Sequence, residues 1–109
     1  MNLSKKFIYV NPSDSNADNA RLFPLSNLNG IYEENATSVW FVFKDAGIID
    51  DTVVDITIES GKAKDFIREF AEAVSYGKES VLTLADNNGD ISFSTLVDFG
   101  TAPTITEGA

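Results

Sequence analysis

The stretch SGKAKDFIREFAEAVSYG, from Ser60 to Gly77, predicts one amphipathic helix over about residues 61–76. Its apolar side chains recur at the i, i+3, i+4 and i+7 spacing of a single helix face, and they are Ala63, Phe66, Ile67, Phe70, Ala73 and Val74. Ser60 is the candidate N-cap, because its hydroxyl can accept a hydrogen bond from an amide of the first turn. Gly77 is the candidate C′ residue, since glycine adopts positive φ without a Cβ clash.

The strongest strand pattern is TSVWFVFK at residues 37–44, which is apolar on both faces. The side chains of one face are Val39, Phe41 and Phe43. Trp40 and Val42 point to the opposite face, because successive side chains of a strand alternate. A strand that is apolar on both sides is typically central in its sheet and covered on both faces.

The other predicted strands are short runs of β-branched and aromatic residues between turn formers. They lie at residues 6–10, 21–25, 31–35, 52–59, 81–85 and 91–99. Asn29-Gly30 predicts a bulge or tight turn, and Asn88-Gly89 predicts a type I′ turn before the last strand. Short connections favour antiparallel pairing. We therefore predict an α+β fold, a curved antiparallel β-sheet of about 5–7 strands with one amphipathic helix packed on one face.

The predicted core lies between the helix and the strand at residues 52–59. The apolar face of that strand consists of Val54, Ile56 and Ile58. The helix residues that we expect to pack on it are Phe66, Ile67, Phe70 and Val74. Length predicts a single domain over residues 1–109, with a folded core at 5–99 and a small, polar, mobile tail at 100–109.

Composition argues against several classes of function. The chain has 8 lysine and arginine residues against 17 acidic residues, a net charge of −9. This charge repels phosphate backbones, so we expect no nucleic-acid partner. The chain has no cysteine and no histidine, which excludes thiolate metal sites and removes the commonest general base. We therefore expect no enzyme activity, no cofactor and no metal.

The N-terminal segment does not resemble a secretion signal. Only four consecutive apolar residues, 7–10, follow its two lysines, which is too short for a signal-peptide core. No apolar run approaches the ~20 residues that span a bilayer. We expect no membrane partner and a protein that stays in the compartment where it is made.

The order of the motifs carries a resemblance to a known group. RLFPLSNLNGI at residues 21–31 precedes the aromatic strand, and ITI at 56–58 leads into GKAK at 61–64 and the helix. This layout, over about residues 5–99, resembles small uncharacterised proteins encoded by marine bacteriophages, including cyanophages. The resemblance implies a phage origin and a place in the host cytoplasm or the virion, and it supplies no catalytic residues.

Three polar clusters are candidate sites. The Asp86–Asp90 loop offers oxygen ligands of the kind that calcium prefers, but Gly89 and Val97 occupy the wrong positions for an EF-hand, and a hairpin turn is the simpler interpretation. The acidic cluster is Asp50, Asp51 and Asp55, whose sequence spacing does not show that they converge. The amides of the helix start, beside Lys62 and Lys64, can hold an anion or can simply be solvated.

The aromatic residues have two interpretations. Trp40, Phe41, Phe43, Phe93 and Phe99 are enough rings for a base-stacking platform. Such platforms need interleaved cations, and only Lys44 is near, so core packing is the better interpretation.

The main functional hypothesis is a non-enzymatic structural or protein-interaction protein that forms a homo-oligomer. One helix covers only one face of the sheet, which leaves Trp40 and Val42 as the candidate self-association face. A closed barrel-like roll that hides both side chains is the opposing interpretation. The alternative function is a small accessory module that binds a host protein through its acidic surface.

Overall fold

A computed structural model of the chain describes residues 6–12, 20–44, 51–77 and 80–106. Over these ranges it has seven β-strands and one α-helix, which confirms the α+β class. The strands are β1 (Phe7–Asn11), β2 (Arg21–Pro24), β3 (Leu28–Asn35), β4 (Ser38–Phe43), β5 (Thr52–Thr57), β6 (Val81–Asp86) and β7 (Thr104–Thr106). The α-helix, α1, spans Ala63–Tyr76, and a 3-10 turn spans Leu25–Asn27.

The strands form two sheets where we predicted one. The four-stranded sheet has the order β3-β4-β5-β7, and every neighbouring pair is antiparallel. The three-stranded sheet has the order β2-β1-β6, in which β1 and β6 are parallel. The expectation of antiparallel pairing is therefore wrong for β1 and β6. It rested on short connections, whereas these two strands are joined by residues 12–80 and meet only in the tertiary fold.

Strand β4 is central in its sheet, as predicted, with β3 on one side and β5 on the other. Its inward side chains are fully buried, and they are Val39, Phe41 and Phe43. The inward side chains of β5 and of the bridge residue that follows it are also buried, and they are Val54, Ile56 and Ile58. In the described part of the chain, strands β3 and β7 form the two edges of this sheet, which is open there and not the alternative barrel-like roll.

Helix α1 forms where the sequence predicts it, but both of its ends differ from the prediction. Lys62 is the N-cap and makes no side-chain cap hydrogen bond, so Ser60 is not the cap. The chain turns into the helix at Gly61 with φ +78°, a conformation that favours glycine. Gly77 has φ −69°, not the predicted positive φ, and its N–H donates to the carbonyl oxygen of Ala73 at 2.9 Å.

The apolar face of α1 enters one core that is shared by both sheets. The rings of Phe66 and Phe70 lie with their centroids 6.0 and 5.0 Å from that of Phe41 on β4. The Phe93 ring lies 5.3 and 5.9 Å from the same two helix rings. The cluster also contains the predicted β5 face and side chains of the three-stranded sheet, including Ile8, Val10, Leu84 and Ala85. Core packing is therefore the correct interpretation for Phe41, Phe43 and Phe93.

Residues 91–99, predicted as a long final strand, form no regular strand. They make isolated bridges at Ile91 and Val97 and separate backbone hydrogen bonds, such as that from the Phe93 N–H to the carbonyl oxygen of Thr83. The hydroxyl of Ser92 accepts the N–H of Ser94 at 3.2 Å, and the hydroxyl of Ser94 accepts the N–H of Leu96 at 3.1 Å. Such local side-chain bonds occupy amides that a strand ladder needs. Apolar residues do alternate along this segment, but the serines between them form local hydrogen bonds that favour turns over a strand.

The turn predictions have mixed outcomes. The register between β3 and β4 shifts between Leu28 and Gly30, which confirms the predicted irregularity at Asn29-Gly30. In the loop after β6, the residues with positive φ are Gly89 and Asp90, so the type I′ turn predicted at Asn88-Gly89 is wrong.

Part of the predicted tail belongs to the four-stranded sheet. Strand β7 pairs with β5, with Ile105 opposite Val54 and Thr106 opposite Val53. Pro103, just before β7, is buried. Residues 104–106 therefore complete an edge of the sheet, and residues 107–109 lie outside the described ranges.

Candidate functional site

The candidate site is the outer face of the four-stranded sheet, the surface opposite the shared core. Because side chains alternate along a strand, Trp40 and Val42 point away from the buried inward row of β4. Both side chains are partly buried. We call this surface the outer face and define it by Tyr32, Trp40, Val42, Val53 and Asp55.

The strand register arranges the outer face in two rows across the four strands. Tyr32 pairs with Trp40, Trp40 with Asp55, and Asp55 with Thr104. The second row, built in the same way, is Gly30, Val42, Val53 and Thr106. Cross-strand neighbours in such rows are close enough to pack on one another. The two residues predicted from sequence therefore lie on a central strand, with the apolar side chains of Tyr32 and Val53 as cross-strand neighbours.

Trp40 has an unsatisfied polar atom at the centre of the outer face. Its indole Nε1 is buried and donates to no acceptor in the described part of the chain. A buried donor without an acceptor is uncommon and costs free energy, on the order of 1–3 kcal/mol. Aromatic side chains are enriched in protein–protein interfaces, and the Trp40 ring is only partly buried in this chain.

Tyr32 lies at the edge of the outer face, on strand β3. Its side chain is 55% exposed. A Cβ atom built on Gly30 would lie 2.7 Å from the Tyr32 hydroxyl oxygen and 2.9 Å from its ring, so the ring lies over the glycine. The aromatic ring thus covers backbone that the glycine leaves bare on an edge strand.

The outer face carries little charge over its two central strands. Within the bounds of β4 and β5, Asp55 is the single charged residue, although the chain contains 17 acids. The hydroxyl of Ser38 donates a short hydrogen bond to Asp55 Oδ1. This bond holds the carboxylate at the sheet surface next to Trp40. The acidic character of the chain is therefore concentrated elsewhere.

The Asp86–Asp90 loop uses its oxygen atoms within the fold. The Asp86 carboxylate accepts hydrogen bonds from Asn11 Nδ2 at 3.1 Å and from the Asn88 amide at 3.0 Å. Asp86 and Ile91 exchange both backbone hydrogen bonds across the turn, at 2.7 and 3.0 Å. Among the residues that the structure describes, no three acidic side chains come together as a metal site. The loop geometry supports the hairpin-turn interpretation.

The other polar candidates do not form a common site. Asp50 lies outside the described residues, Asp51 accepts a hydrogen bond from Asn29 Nδ2 at 3.2 Å, and Asp55 is bonded to Ser38. Four strand positions separate Asp51 from Asp55, roughly 13 Å at the usual rise of a strand, so they cannot work as an acid–base pair. At the start of α1, Lys62 and Lys64 are exposed.

Comparison with protein-family models, with curated proteins and with solved structures gave no match for this chain. In the part of the chain that the structure describes, no helix combines the length and apolar character needed to cross a bilayer.

Tyr32, Val53 and Asp55 were not predicted as members of the outer face. The sequence did indicate on which side of β5 Val53 and Asp55 lie, because they alternate with the buried residues of that strand. What the sequence did not contain was the register that places Tyr32 and Asp55 on either side of Trp40.

Proposed function

We propose that this chain is a non-enzymatic structural or protein-interaction protein that self-associates through the outer face. The observation that carries the proposal is the partly exposed Trp40 ring at the centre of this face, on a strand whose opposite side forms the core. Tyr32, Val42 and Val53 surround it with apolar surface. A second copy of the chain would cover the parts of these side chains that are still exposed.

Charge favours a second copy that approaches at this surface. Two chains that each carry −9 repel one another, and the repulsion is weakest where each presents little charge. The central strands β4 and β5 offer such a surface, with Asp55 as their single charge. A two-fold axis through the outer face would pair identical apolar patches, the usual arrangement of homodimers.

The proposal predicts an assembly larger than one chain. At tens of micromolar protein, light scattering after gel filtration should give a mass above the 11.8 kDa of the monomer. Trp40→Glu and Val42→Glu should each give a monomer that stays folded by circular dichroism, because each places a charge in the contact and leaves the buried core intact.

The matched control is Tyr76→Glu on α1, where the side chain is 83% exposed and lies away from the outer face. This variant should keep the wild-type mass. A wild-type protein that runs as an 11.8 kDa monomer at these concentrations would exclude self-association. An assembly that persists in both Trp40→Glu and Val42→Glu would place the contact elsewhere.

The resemblance to phage proteins extends the proposal to origin and location. A phage structural protein would be present in purified particles and in the host cytoplasm during assembly. Detection of the chain in purified particles by mass spectrometry would support this role. Capture of a basic host protein instead would support the accessory-module alternative, in which the acidic surface is the binding site.

The acidic charge predicts that the protein does not bind double-stranded DNA at physiological salt. Binding to a duplex depends on cations that displace counterions from the phosphates, and the chain has 8 lysine and arginine residues against 17 acids. A titration of random-sequence duplex, followed by fluorescence anisotropy, should show no saturable change. Micromolar binding that weakens with added salt would contradict this prediction.

A further inference from the structure

A cavity of about 160 Å³ lies between the C-terminal half of α1 and the three-stranded sheet. The sheet contributes side chains from β1 and β6, and the 3-10 turn contributes Leu25. The apolar residues that line the cavity are Phe7, Ile8, Leu25, Ala73, Val74 and Leu82. It lies on the core side of the molecule and shares no residue with the outer face. A ligand here would be independent of self-association.

Of the polar residues that line the cavity, Ser80 is exposed at the surface, and Lys6 and Gly77 are engaged within the fold. Lys6 Nζ donates to the carbonyl oxygen of Gly77 at 2.8 Å, and the N–H of Gly77 donates to the carbonyl oxygen of Ala73. A buried water molecule needs two to four polar partners, and this lining offers few. The chemistry of the wall therefore favours an apolar occupant over a hydrated or charged one.

The size of the cavity indicates the class of ligand that fits it. Cavities of about 150 Å³ lined by leucine, isoleucine and phenylalanine bind benzene or xenon. The cavity here is of similar size, and its lining is apolar apart from Lys6, Gly77 and Ser80. We propose that it is a binding site for a compact, uncharged apolar group about as large as a benzene ring.

A neighbouring groove gives two sources for such a group. Leu25 and Val74 line both the cavity and an open groove between α1 and β3. The other apolar residues of the groove are Leu28, Ile31, Ile67, Phe70 and Ala71. The apolar group is therefore either a small free molecule held in the cavity or the end of an alkyl chain whose remainder follows the groove.

Two alanines on α1 allow a matched test. Ala73 lines only the cavity and Ala71 lines only the groove, so the same alanine-to-leucine change fills one space or the other. Benzene and 1-decanol would each be titrated into the full chain, with methyl resonances of Ile8, Leu25 and Leu82 followed by NMR. We expect saturable benzene binding by wild type and Ala71→Leu, and loss of binding in Ala73→Leu.

The 1-decanol titration separates the two sources. If the ligand is an alkyl chain, 1-decanol binding should be lost in Ala73→Leu and weakened in Ala71→Leu, because the chain occupies both the cavity and the groove. If the ligand is a compact molecule, Ala71→Leu should leave the response to 1-decanol unchanged. Absence of saturable benzene binding by wild type, or equal binding by Ala73→Leu, would overturn the proposal.

A second variant keeps the test decisive if Ala73→Leu does not fold. Leu82→Ala enlarges the cavity, so we expect it to gain binding of the larger p-xylene. The control is Leu22→Ala, a side chain that is 53% exposed on β2 and does not line the cavity. Equal p-xylene responses in the two variants would show that the cavity is not the binding site.

Discussion

Replacing Phe70 with alanine should lower the free energy of unfolding by about 3–5 kcal/mol. The Phe70 side chain is only 4% exposed, and its ring contacts those of Phe41 and Phe93 at centroid distances of 5.0 and 5.9 Å. The substitution removes the transfer free energy of the ring and leaves a cavity between α1 and the four-stranded sheet. Urea denaturation followed by circular dichroism would measure the loss.

The control for this prediction lies on the same helix. Tyr76 is 83% exposed, so Tyr76→Ala should change the free energy of unfolding by no more than about 0.5 kcal/mol. A Phe70→Ala loss below about 1 kcal/mol, against the 3–5 expected for a buried aromatic, would mean that the helix face is not docked in the core.

Replacing Gly77 with asparagine should destabilise the protein by about 1–3 kcal/mol, as overpacking does. A Cβ atom at Gly77 would lie 2.3 Å from the carbonyl oxygen of Ala73, far inside contact distance. That oxygen also accepts the Gly77 N–H, so it cannot move without loss of the hydrogen bond that ends α1. The glycine is therefore required by close approach of the backbone, since its φ of −69° suits any residue.

The same substitution at Gly61 distinguishes two reasons for a glycine, close approach of the backbone and a positive φ. Gly61 has φ +78° and no heavy atom within 4 Å of a built Cβ. Asparagine tolerates this left-handed conformation, so Gly61→Asn should cost about 1 kcal/mol or less. Both variants would be compared by thermal denaturation. If Gly77→Asn were as mild as Gly61→Asn, Gly77 would take the positive φ of an ordinary helix C′ residue.

The candidate site was predictable in part. Trp40 and Val42 could be assigned to one side of β4 because alternation along a strand is a local property. Their neighbours could not be assigned, since Tyr32 and Asp55 meet Trp40 only through the registers of β3 and β5. The cavity under α1 was not predictable, because it lies where the helix meets strands far away in the chain.

The sequence by itself determined the local elements of this protein. The spacing of apolar residues placed α1, and the apolar runs placed β4 and β5, because helix and strand periodicity are set by backbone geometry. It also determined the charge of −9 and the absence of cysteine and histidine.

Only the tertiary structure decided how these elements combine. In the tertiary structure β1 pairs with β6 in parallel and β7 pairs with β5. Residues 91–99 form turns with serine–backbone hydrogen bonds. The physical reason is that pairing between distant strands depends on burial and hydrogen bonds summed over the whole chain. Local propensity at 91–99 favoured a strand, and the serine–backbone bonds together with the packing of Phe93 on α1 outweighed it.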